Sequence, residues 1–433
     1  MPADDGLAPR RAALAILEQV RAGRPLDAAL DQSLRPLPEP DRRLAHELAA
    51  GVLRRRTGLD ERLEPLAARG WASVPPTLQN ILRLGAYQLT ALDRVPPHAA
   101  VSTSVALARE AGGARAGGFV NALLRRMTRE GPQNRPRGMG PLDLAARHSH
   151  PEWLVRRWLD RFGPEDTDRL LRWNNSRPAL VIQPARAAGD AILRRFAAAG
   201  IRTAPAPWGA GIAVSGSRPE QLPGFADGDF LVQDPAQALV TWYAGMPAGC
   251  LTYDACAAPG GKTIGLARMG VRVLAADVSR ARVARLRQNL RRAGGREFVV
   301  VADSRRPPLL DVDAVFLDAP CLGTGTFARH PDARWRVTPD ALAALIQRQA
   351  ELLASAALVV RPGGLLVYST CSLEPEENEK QVEAFLAANP DWTLEPPPAG
   401  SVPPETIDGG YLRVLPQVHG SDGAFAARLR RSQ

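Results

Sequence analysis

Apolar residues recur three and four positions apart through the first 130 residues, which is the spacing of one helix face. Leu14, Leu17 and Val20 form one such run, and Leu78 and Leu82 belong to another. Turn-forming glycines and prolines separate the runs from one another. The pattern predicts an all-α bundle of six or seven helices over residues 1–140, which ends in a Gly-, Pro- and Arg-rich linker near 131–141.

The pattern changes after Pro151, where short apolar runs begin to alternate with helical stretches. A small α+β subdomain is predicted over 146–245, with strands at 180–182, 212–214 and 230–232. Strands and helices then alternate regularly, with strands at 251–253, 271–276, 298–301, 314–317 and 365–368. Such alternation with short loops predicts an α/β, doubly wound and mostly parallel Rossmann-like domain over 246–433.

Charge and cysteine usage narrow the possible partners only partly. The formal net charge of +10 favours polyanions such as nucleic acid, although an arginine excess also follows from GC-rich coding. A cluster of arginines near Phe119 is able to hold RNA phosphates, and a solvated helix face is the alternative; its members are Arg115, Arg125, Arg126 and Arg129. No apolar run is long enough to span a membrane, and the first seven residues do not resemble a signal peptide. We expect a cytoplasmic protein, and a monomer.

Four cysteines are scattered through the second half of the chain, at Cys250, Cys256, Cys321 and Cys371. No CxxC pair occurs, so we expect neither a disulfide framework nor a zinc site, and we assign no metal. Free thiols suit a reducing compartment. Cys321 and Cys371 each follow an apolar run, which places both at the carboxyl ends of strands, where open α/β sheets carry their chemistry. Four glutamates at 374–379 follow Cys371, and their field opposes a thiolate there.

A glycine turn opens a helix at Asp254-Ala-Cys-Ala-Ala-Pro-Gly-Gly-Lys-Thr263. Such a turn lets the backbone approach a ligand at a helix amino end, and Asp277 after the next strand is placed to accept ribose hydroxyls. Asp303, after the third strand, lies where an adenine is expected. A P-loop ATPase is the rival interpretation, but Cys256 occupies the position where that loop needs its first glycine.

One reaction uses a nucleotide-like cofactor beside two thiols. Carbon 5 of cytosine is a weak nucleophile until a thiolate adds to carbon 6, after which it attacks the methyl group of S-adenosylmethionine. An acid beside ring nitrogen 3 stabilises the adduct, and Asp318 is placed for that task. The residues alone do not distinguish the role of Cys321 from that of Cys371.

These residues resemble the NOL1/NOP2/Sun family of RNA cytosine carbon-5 methyltransferases. The likeness rests on Cys256-Ala-Ala-Pro-Gly-Gly-Lys262, Asp318-Ala-Pro-Cys321, Thr370-Cys371-Ser372, Pro375-Glu-Glu-Asn378, Gln233-Asp234-Pro235 and Asp422-Gly423. The segment from Arg329 to Trp335 resembles the bacterial ribosomal-RNA group of that family, RsmB or Sun. Gly118-Phe-Val-Asn-Ala122 is similar to the NusB-like RNA-binding domain fused in that group. Leu322, where a serine is common, departs from the family pattern.

The resemblance implies S-adenosylmethionine as cofactor and a single-stranded or flipped-out cytosine of small-subunit (16S) ribosomal RNA as substrate. It makes Cys371 the nucleophile and Cys321 the thiol that assists product release. The implied cofactor contacts are Cys256, Ala257, Ala258, Pro259, Gly260, Gly261, Lys262, Asp277, Asp303 and Asp318. Two alternatives stay open: the same chemistry on transfer RNA or another RNA, and a non-catalytic RNA-binding assembly factor.

Overall fold

The computed structural model describes residues 6–131, 138–215 and 218–433. Most of the predicted linker, 132–137, lies outside the described residues. The chain divides into two compact units. The first contains Met1–Ser176 together with Phe327–Arg336, and the second contains Arg177–Thr326 and Val337–Gln433. The domain limits 1–140, 146–245 and 246–433 stay predictions.

The first unit is helical, which confirms the all-α prediction for the amino-terminal region. Its described α-helices are α1 Leu7–Arg21, α2 Leu26–Leu34, α3 Glu39–Leu63, α4 Pro76–Ala91, α5 Pro97–Glu130, α6 Pro141–His148 and α7 Glu152–Asn174. Helix α3 bends at Arg55, and α5 bends at Gly112 and Gly113. Each of these two helices therefore consists of two straight segments. Leucine, isoleucine and valine side chains from α1, α3, α4 and α5 form a continuous buried core.

The segment Phe327–Arg336 packs within the helical unit, although its chain neighbours on both sides belong to the second unit. Arg334 is fully buried, and its guanidinium donates to the Asn175 side-chain oxygen and to the Asn174 carbonyl, each at 2.7 Å. The indole N–H of Trp335 donates to a backbone carbonyl of α3 at 2.8 Å. A buried guanidinium needs such acceptors, because desolvation of an unpaired charge is costly.

The second unit begins with a small antiparallel sheet in the strand order β2-β3-β1-β4. Its elements are β1 Leu180–Pro184, α8 Gly189–Ala198, β2 Thr203–Pro205, β3 Ile212–Val214 and β4 Phe230–Val232. Ile182, Phe196 and Phe230 form its buried centre. The predicted α+β character is confirmed, and β2 is the strand that the pattern did not predict, since its three residues are all exposed.

A nine-stranded sheet with flanking helices completes the second unit, as the Rossmann-like prediction requires. The first elements are α9 Pro235–Ala244, β5 Leu251–Asp254, α10 Gly261–Arg268, β6 Arg272–Asp277, α11 Arg280–Arg292, β7 Phe298–Val301, β8 Val312–Asp318, α12 Pro339–Leu358 and β9 Val360–Thr370. They are followed by α13 Glu379–Ala388, β10 Trp392–Leu394, β11 Ile407–Asp408, β12 Tyr411–Val414, α14 Pro416–His419 and β13 Ala424–Arg431. None of the helices in the described ranges is both long enough and apolar enough to cross a membrane.

The sheet is parallel from β7 through β6, β5 and β8 to β9. All five strands predicted from the sequence belong to this parallel part. Strands β10 to β13, which the sequence pattern did not predict, extend the sheet by antiparallel pairing beyond β9. The helix before β5 begins where Asp234 accepts the Ala236 N–H at 2.9 Å and Pro235 occupies the first helical position. This capping explains the Gln233-Asp234-Pro235 motif in physical terms.

We predict that Arg334→Met lowers the stability of the helical unit by about 3 kcal/mol, because it leaves buried carbonyl and amide oxygens without a donor. Urea denaturation, followed by hydrogen exchange of the α7 amides, measures the change. The control is Arg43→Met in the same unit, whose side chain is 67% exposed; its expected effect is under about 0.5 kcal/mol. Equal stability of the two variants would contradict this assignment of Arg334.

Candidate active site

The two strand-end cysteines meet because their strands are neighbours in parallel register. Asp318 at the end of β8 lies opposite Ser369 near the end of β9. Cys321 follows three residues after Asp318, and Cys371 follows two residues after Ser369. Their Sγ atoms lie 3.4 Å apart, and both are free thiols. The predicted convergence at one sheet edge is therefore a direct sulfur–sulfur contact.

The contact makes the two thiols electrostatically unequal. A hydrogen bond from the Cys321 thiol lowers the pKa of Cys371, and Lys262 adds to this effect, while burial and Asp318 oppose it. The same hydrogen bond and burial raise the pKa of Cys321 well above its ordinary value, and Glu377 contributes in that direction. A Cys371 thiolate that accepts from a Cys321 thiol is the favoured arrangement. A thiolate is the nucleophilic form of cysteine, so the electrostatics favour Cys371 as the nucleophile.

Lys262 is a buried cation held by two oxygen acceptors. Its Nζ donates to Asp318 Oδ2 and to Gln237 Oε1, both at 2.6 Å. Burial is the largest single effect and lowers the pKa of Lys262, but Asp318, Cys371 and Asp254 together outweigh burial, so the pKa is raised. Asp318 Oδ1 in turn accepts from the Ser369 hydroxyl at 2.9 Å. A charged lysine thus lies near both the nucleophile candidate and the carboxylate that was predicted to contact the base.

Two neighbouring residues of the Pro375-Glu-Glu-Asn378 segment hold the two cysteine turns. The buried Glu377 carboxylate accepts the N–H of Leu322, next to Cys321, at 3.0 Å, and burial raises its pKa. Asn378 accepts from the Thr370 hydroxyl at 2.5 Å and donates to the Ser372 carbonyl at 2.9 Å, which bracket Cys371. The position of each thiol therefore depends on one of these two side chains.

Close backbone contact explains two glycines, Gly325 and the Gly423 of the Asp422-Gly423 motif, where a Cβ atom would lie 2.8 Å from the Gly325 Cα. The Gly325 N–H donates to the Cys371 carbonyl at 3.0 Å, and the Gly423 N–H donates to the Gly325 carbonyl at 2.8 Å. A Cβ atom at Gly325 would lie 2.7 Å from the Gly423 Cα and 2.8 Å from the Cys371 oxygen. Only glycine at position 325 allows three backbone segments to pack this closely around the nucleophile candidate.

The predicted cofactor loop lies between the end of β5 and the start of α10. Gly260 has a φ of +107°, a left-handed value that glycine adopts without strain, and it precedes the first turn of α10. No side chain caps that turn, so its backbone N–H groups are available to a carboxylate. The Thr263 hydroxyl donates to the buried Asp254 at 2.6 Å, and burial raises the pKa of Asp254 to about 7. Burial raises the pKa of Cys256 to about 12, which keeps this thiol neutral.

The remaining predicted cofactor contacts end two further parallel strands at the same edge of the sheet. Asp277 ends β6, is 2% exposed, and lies 3.2 Å from the Arg282 guanidinium. Asp303 follows β7 and pairs with Arg305 at 2.7 Å, and hydrogen bonds from Arg305 lower its pKa. The structure thus brings Cys256–Lys262, Asp277, Asp303 and Asp318 to neighbouring strand ends. This set of carboxylates and free N–H groups fits an adenosyl amino-acid ligand.

The predicted RNA-binding arginines lie elsewhere, on the carboxyl-terminal half of α5 in the helical unit. Within the described residues no acid pairs with Arg125, whose guanidinium donates to the Asn121 side-chain oxygen at 2.9 Å. Arg126 pairs with Glu130 at 2.7 Å. Arg115 and Arg129 are exposed on the same half-helix. Within 6–131, 138–215 and 218–433, no group of three or more His, Cys, Asp or Glu side chains is arranged to hold a metal ion.

Sequence reasoning assigned no task to Gln237, Ser369, Glu377 or Asn378, which orient the lysine, the carboxylate and the two cysteine turns. Glu377 and Asn378 lie only six and seven residues after Cys371, which is a usable signal once the thiol is suspected. Gln237 lies in the first turn of α9, and its side chain approaches Lys262 only because α9 and α10 pack together. That contact has no signature in the local sequence.

Comparisons with known proteins match the same methyltransferase family along most of the chain. The family described as "16S rRNA methyltransferase RsmB/F" matches residues 248–430, the NusB family matches 7–129, and the RsmF/B-like ferredoxin-like domain matches 150–219. A Synechocystis sp. protein named "Probable ribosomal RNA small subunit methyltransferase B" is 36% identical over 94% of this chain and 95% of its own length. Ribosomal RNA small subunit methyltransferase B of Vibrio cholerae is 35% identical, over 94% and 97% of the two chains.

A solved structure supports the same relationship. The crystal structure of the protein PH0851 superposes with a TM-score of 0.83 at 25% sequence identity, over 97% of this chain and 98% of that one. The likeness therefore covers residues of both compact units and not the nine-stranded sheet alone.

We predict that Cys321→Ala raises the pH midpoint for alkylation of Cys371. The substitution removes the hydrogen bond that stabilises the Cys371 thiolate, so the pKa of Cys371 moves back towards or above the ordinary thiol value. A hydrogen bond to a charged group contributes about 1.5–3 kcal/mol, so the expected change is about 1 pH unit or more. Iodoacetamide labelling across pH, read by peptide mass spectrometry, measures the midpoint.

Cys250→Ala is the matched control, because Cys250 neighbours Thr252 and makes no contact with the thiol pair. Its Cys371 midpoint should equal that of the wild type. A midpoint that stays unchanged in Cys321→Ala would show that the thiol contact does not govern the charge of Cys371.

Proposed function

Since the chain belongs to the 16S rRNA methyltransferase RsmB/F family, we propose that it methylates carbon 5 of a cytosine in small-subunit ribosomal RNA. The observation that carries this proposal is the pair formed by Cys321 and Cys371, 3.4 Å apart, with the pKa of Cys371 lowered. Methylation at an oxygen or at an exocyclic nitrogen needs no nucleophilic thiol. Carbon 5 of a pyrimidine does, because the ring must first be activated by addition at carbon 6.

Cys371 performs the activation. Its thiolate forms a bond to carbon 6, and the electron pair of the ring's 5,6 double bond makes carbon 5 nucleophilic. S-adenosylmethionine, when bound, supplies the methyl group and leaves as the neutral thioether. Asp318, fixed by Lys262 and Ser369, is the group placed to contact the polar edge of the base. Carbon 5 then carries both the new methyl group and its original proton.

Cys321 assists the release step. A base takes the carbon 5 proton, the 5,6 double bond re-forms, and the carbon 6–sulfur bond breaks with its electrons going to Cys371. The departing thiolate accepts the hydrogen bond of the Cys321 thiol, whose own raised pKa keeps the proton in place. Stabilisation of this leaving group is the physical reason for two thiols where one nucleophile would suffice.

The residues at the adjacent strand ends are assigned to the parts of the cofactor. The uncapped first turn of α10 and the preceding glycines suit the amino-acid portion of S-adenosylmethionine, and Asp277 suits the ribose hydroxyls. Asp303 lies beyond the next strand, where the adenine belongs. Cys256, within the loop, remains a neutral thiol, so it does not compete as a nucleophile. Carbon 6 of a paired cytosine is hidden in the base stack, so the proposed substrate is single-stranded or flipped out.

We propose a cytoplasmic monomer that acts on 16S ribosomal RNA. The family description names 16S rRNA, and the names of the relatives give small-subunit ribosomal RNA. Transfer RNA or another RNA as the substrate would leave every chemical step unchanged. A binding-only role is disfavoured by the lowered pKa of Cys371, since a protein that only binds RNA gains nothing from a stabilised thiolate.

We predict that Cys371→Ala loses methyl transfer to small-subunit ribosomal RNA by about a thousandfold or more, because it removes the nucleophile. Binding of S-adenosylmethionine, measured by calorimetry, should stay within about twofold of the wild type, since the thiol lies outside the cofactor loop. Nucleoside mass spectrometry of 5-methylcytosine in deproteinised RNA and in ribosomal particles measures the product.

Cys250→Ala serves as the control and should retain full activity. Methylation by Cys371→Ala would remove this residue from the mechanism. If the wild type forms 5-methylcytosine in transfer RNA alone, transfer RNA replaces ribosomal RNA as the substrate. If the wild type binds RNA but forms 5-methylcytosine in none, only the binding role remains.

A further inference from the structure

A groove lies between the two halves of α5 in the helical unit, with a volume of about 540 Å³. The helix bends at Gly112 and Gly113, so its second half returns beside the first. Gly117 permits this approach, because a Cβ atom there would lie 2.6 Å from the Cγ of Arg109. We call this feature the α5 groove. Its size falls in the range of ligand sites, about 300–1,000 Å³.

Cations stand on both walls of the α5 groove. Arg109 comes from the first half of the helix, and Arg125 and Arg129 come from the second half, one turn apart. The apolar side chains of Val101 and Val105 lie in the same lining. No aspartate or glutamate lines the groove. A ligand between the two walls therefore meets guanidinium groups from two directions and an apolar surface as well.

The neighbouring acids are paired with other arginines, which leaves the charge of the groove uncompensated. Glu110, next to Arg109, pairs with Arg11 at 2.6 Å. Glu130, next to Arg129, pairs with Arg126 at 2.7 Å. Among the described residues, no acid pairs with Arg109, Arg125 or Arg129. Three like charges in one groove repel one another, and an anionic ligand relieves that repulsion.

We propose that the α5 groove binds the sugar–phosphate backbone of a single-stranded RNA segment. This inference rests on the proposed function, since it supplies a second contact for the same RNA substrate. Phosphates bind between Arg109 on one wall and Arg125 with Arg129 on the other, where each guanidinium donates in a fork that fits a phosphate. The apolar lining accepts the face of a ribose or a base. Arg115 and Arg126 lie outside the lining, so only two of the four arginines predicted from the sequence belong to this site.

The test compares two double variants of the full-length protein that remove equal charge from the same helix. Arg125→Ala/Arg129→Ala alters the groove, and Arg115→Ala/Arg126→Ala is the matched control outside it. The probe is a fluorescent single-stranded oligoribonucleotide without cytosine, so that the catalytic pocket has no substrate base to bind. Fluorescence anisotropy gives the dissociation constant across a series of KCl concentrations.

We expect the groove variant to bind about tenfold more weakly, and its logarithmic salt slope to fall by about 1.4, as for two lost phosphate contacts on a single strand. The control variant should weaken binding less than threefold. Arg109→Ala, which alters the opposite wall, should reproduce the groove effect at about half the slope change.

Equal weakening in the two double variants would overturn the proposal, because net charge rather than the groove would then explain binding. Weakening that appears only with duplex RNA would also overturn it. A parallel 5-methylcytosine assay of the wild-type protein separates this inference from the proposed function. If the wild type methylates RNA but the groove variant binds the probe as well as the control does, only the groove proposal is contradicted. If the groove variant binds more weakly but the wild type forms no 5-methylcytosine, only the proposed chemistry is contradicted.

Discussion

The parallel pairing of β8 with β9 is the constraint on which the active site depends. Backbone hydrogen bonds set Asp318 opposite Ser369, and short turns after each strand then bring Cys321 and Cys371 into contact. A slip of one residue in this register would turn each strand's side chains to the opposite face of the sheet. The near-continuous burial of β8, typical of a central parallel strand, makes such a slip costly. The geometry of the thiols is therefore a consequence of the sheet core.

The two thiols differ in pKa, and this difference assigns them different chemical roles. Two thiols in contact share their protons unequally, and the surroundings decide which one becomes the thiolate. Lys262 favours negative charge on Cys371, while Glu377 disfavours it on Cys321. The effect of the four glutamates on Cys371 stays a prediction, but one of them, Glu377, acts on the other thiol. The buried Glu377 accepts the Leu322 N–H beside Cys321 and contributes to the raised pKa of that thiol.

Much of the site could be predicted because its residues end apolar runs of recognisable length. Asp277, Asp318, Cys321 and Cys371 needed only the strand positions and the rule that parallel strands share a carboxyl edge. The antiparallel strand β13 could not be predicted, since Ala-Phe-Ala-Ala-Arg-Leu-Arg-Arg is rich in residues that favour other structures. Glu377 and Asn378 stand close to Cys371 along the chain, but the task of Glu377 could not be predicted, because it accepts the N–H of Leu322, 55 residues away. Local patterns predict elements well and long-range hydrogen bonds poorly.

The central claim is that Cys371 bonds to the RNA and that Cys321 assists its departure. The most direct measurement is covalent trapping: wild type, Cys321→Ala and Cys371→Ala are incubated with small-subunit ribosomal RNA and S-adenosylmethionine, and denaturing gels are followed by peptide mass spectrometry. The account predicts a stable RNA–protein adduct in Cys321→Ala, with the nucleotide attached at Cys371. An adduct that accumulates only in Cys371→Ala, with the nucleotide on Cys321, would reverse the two roles and contradict the account.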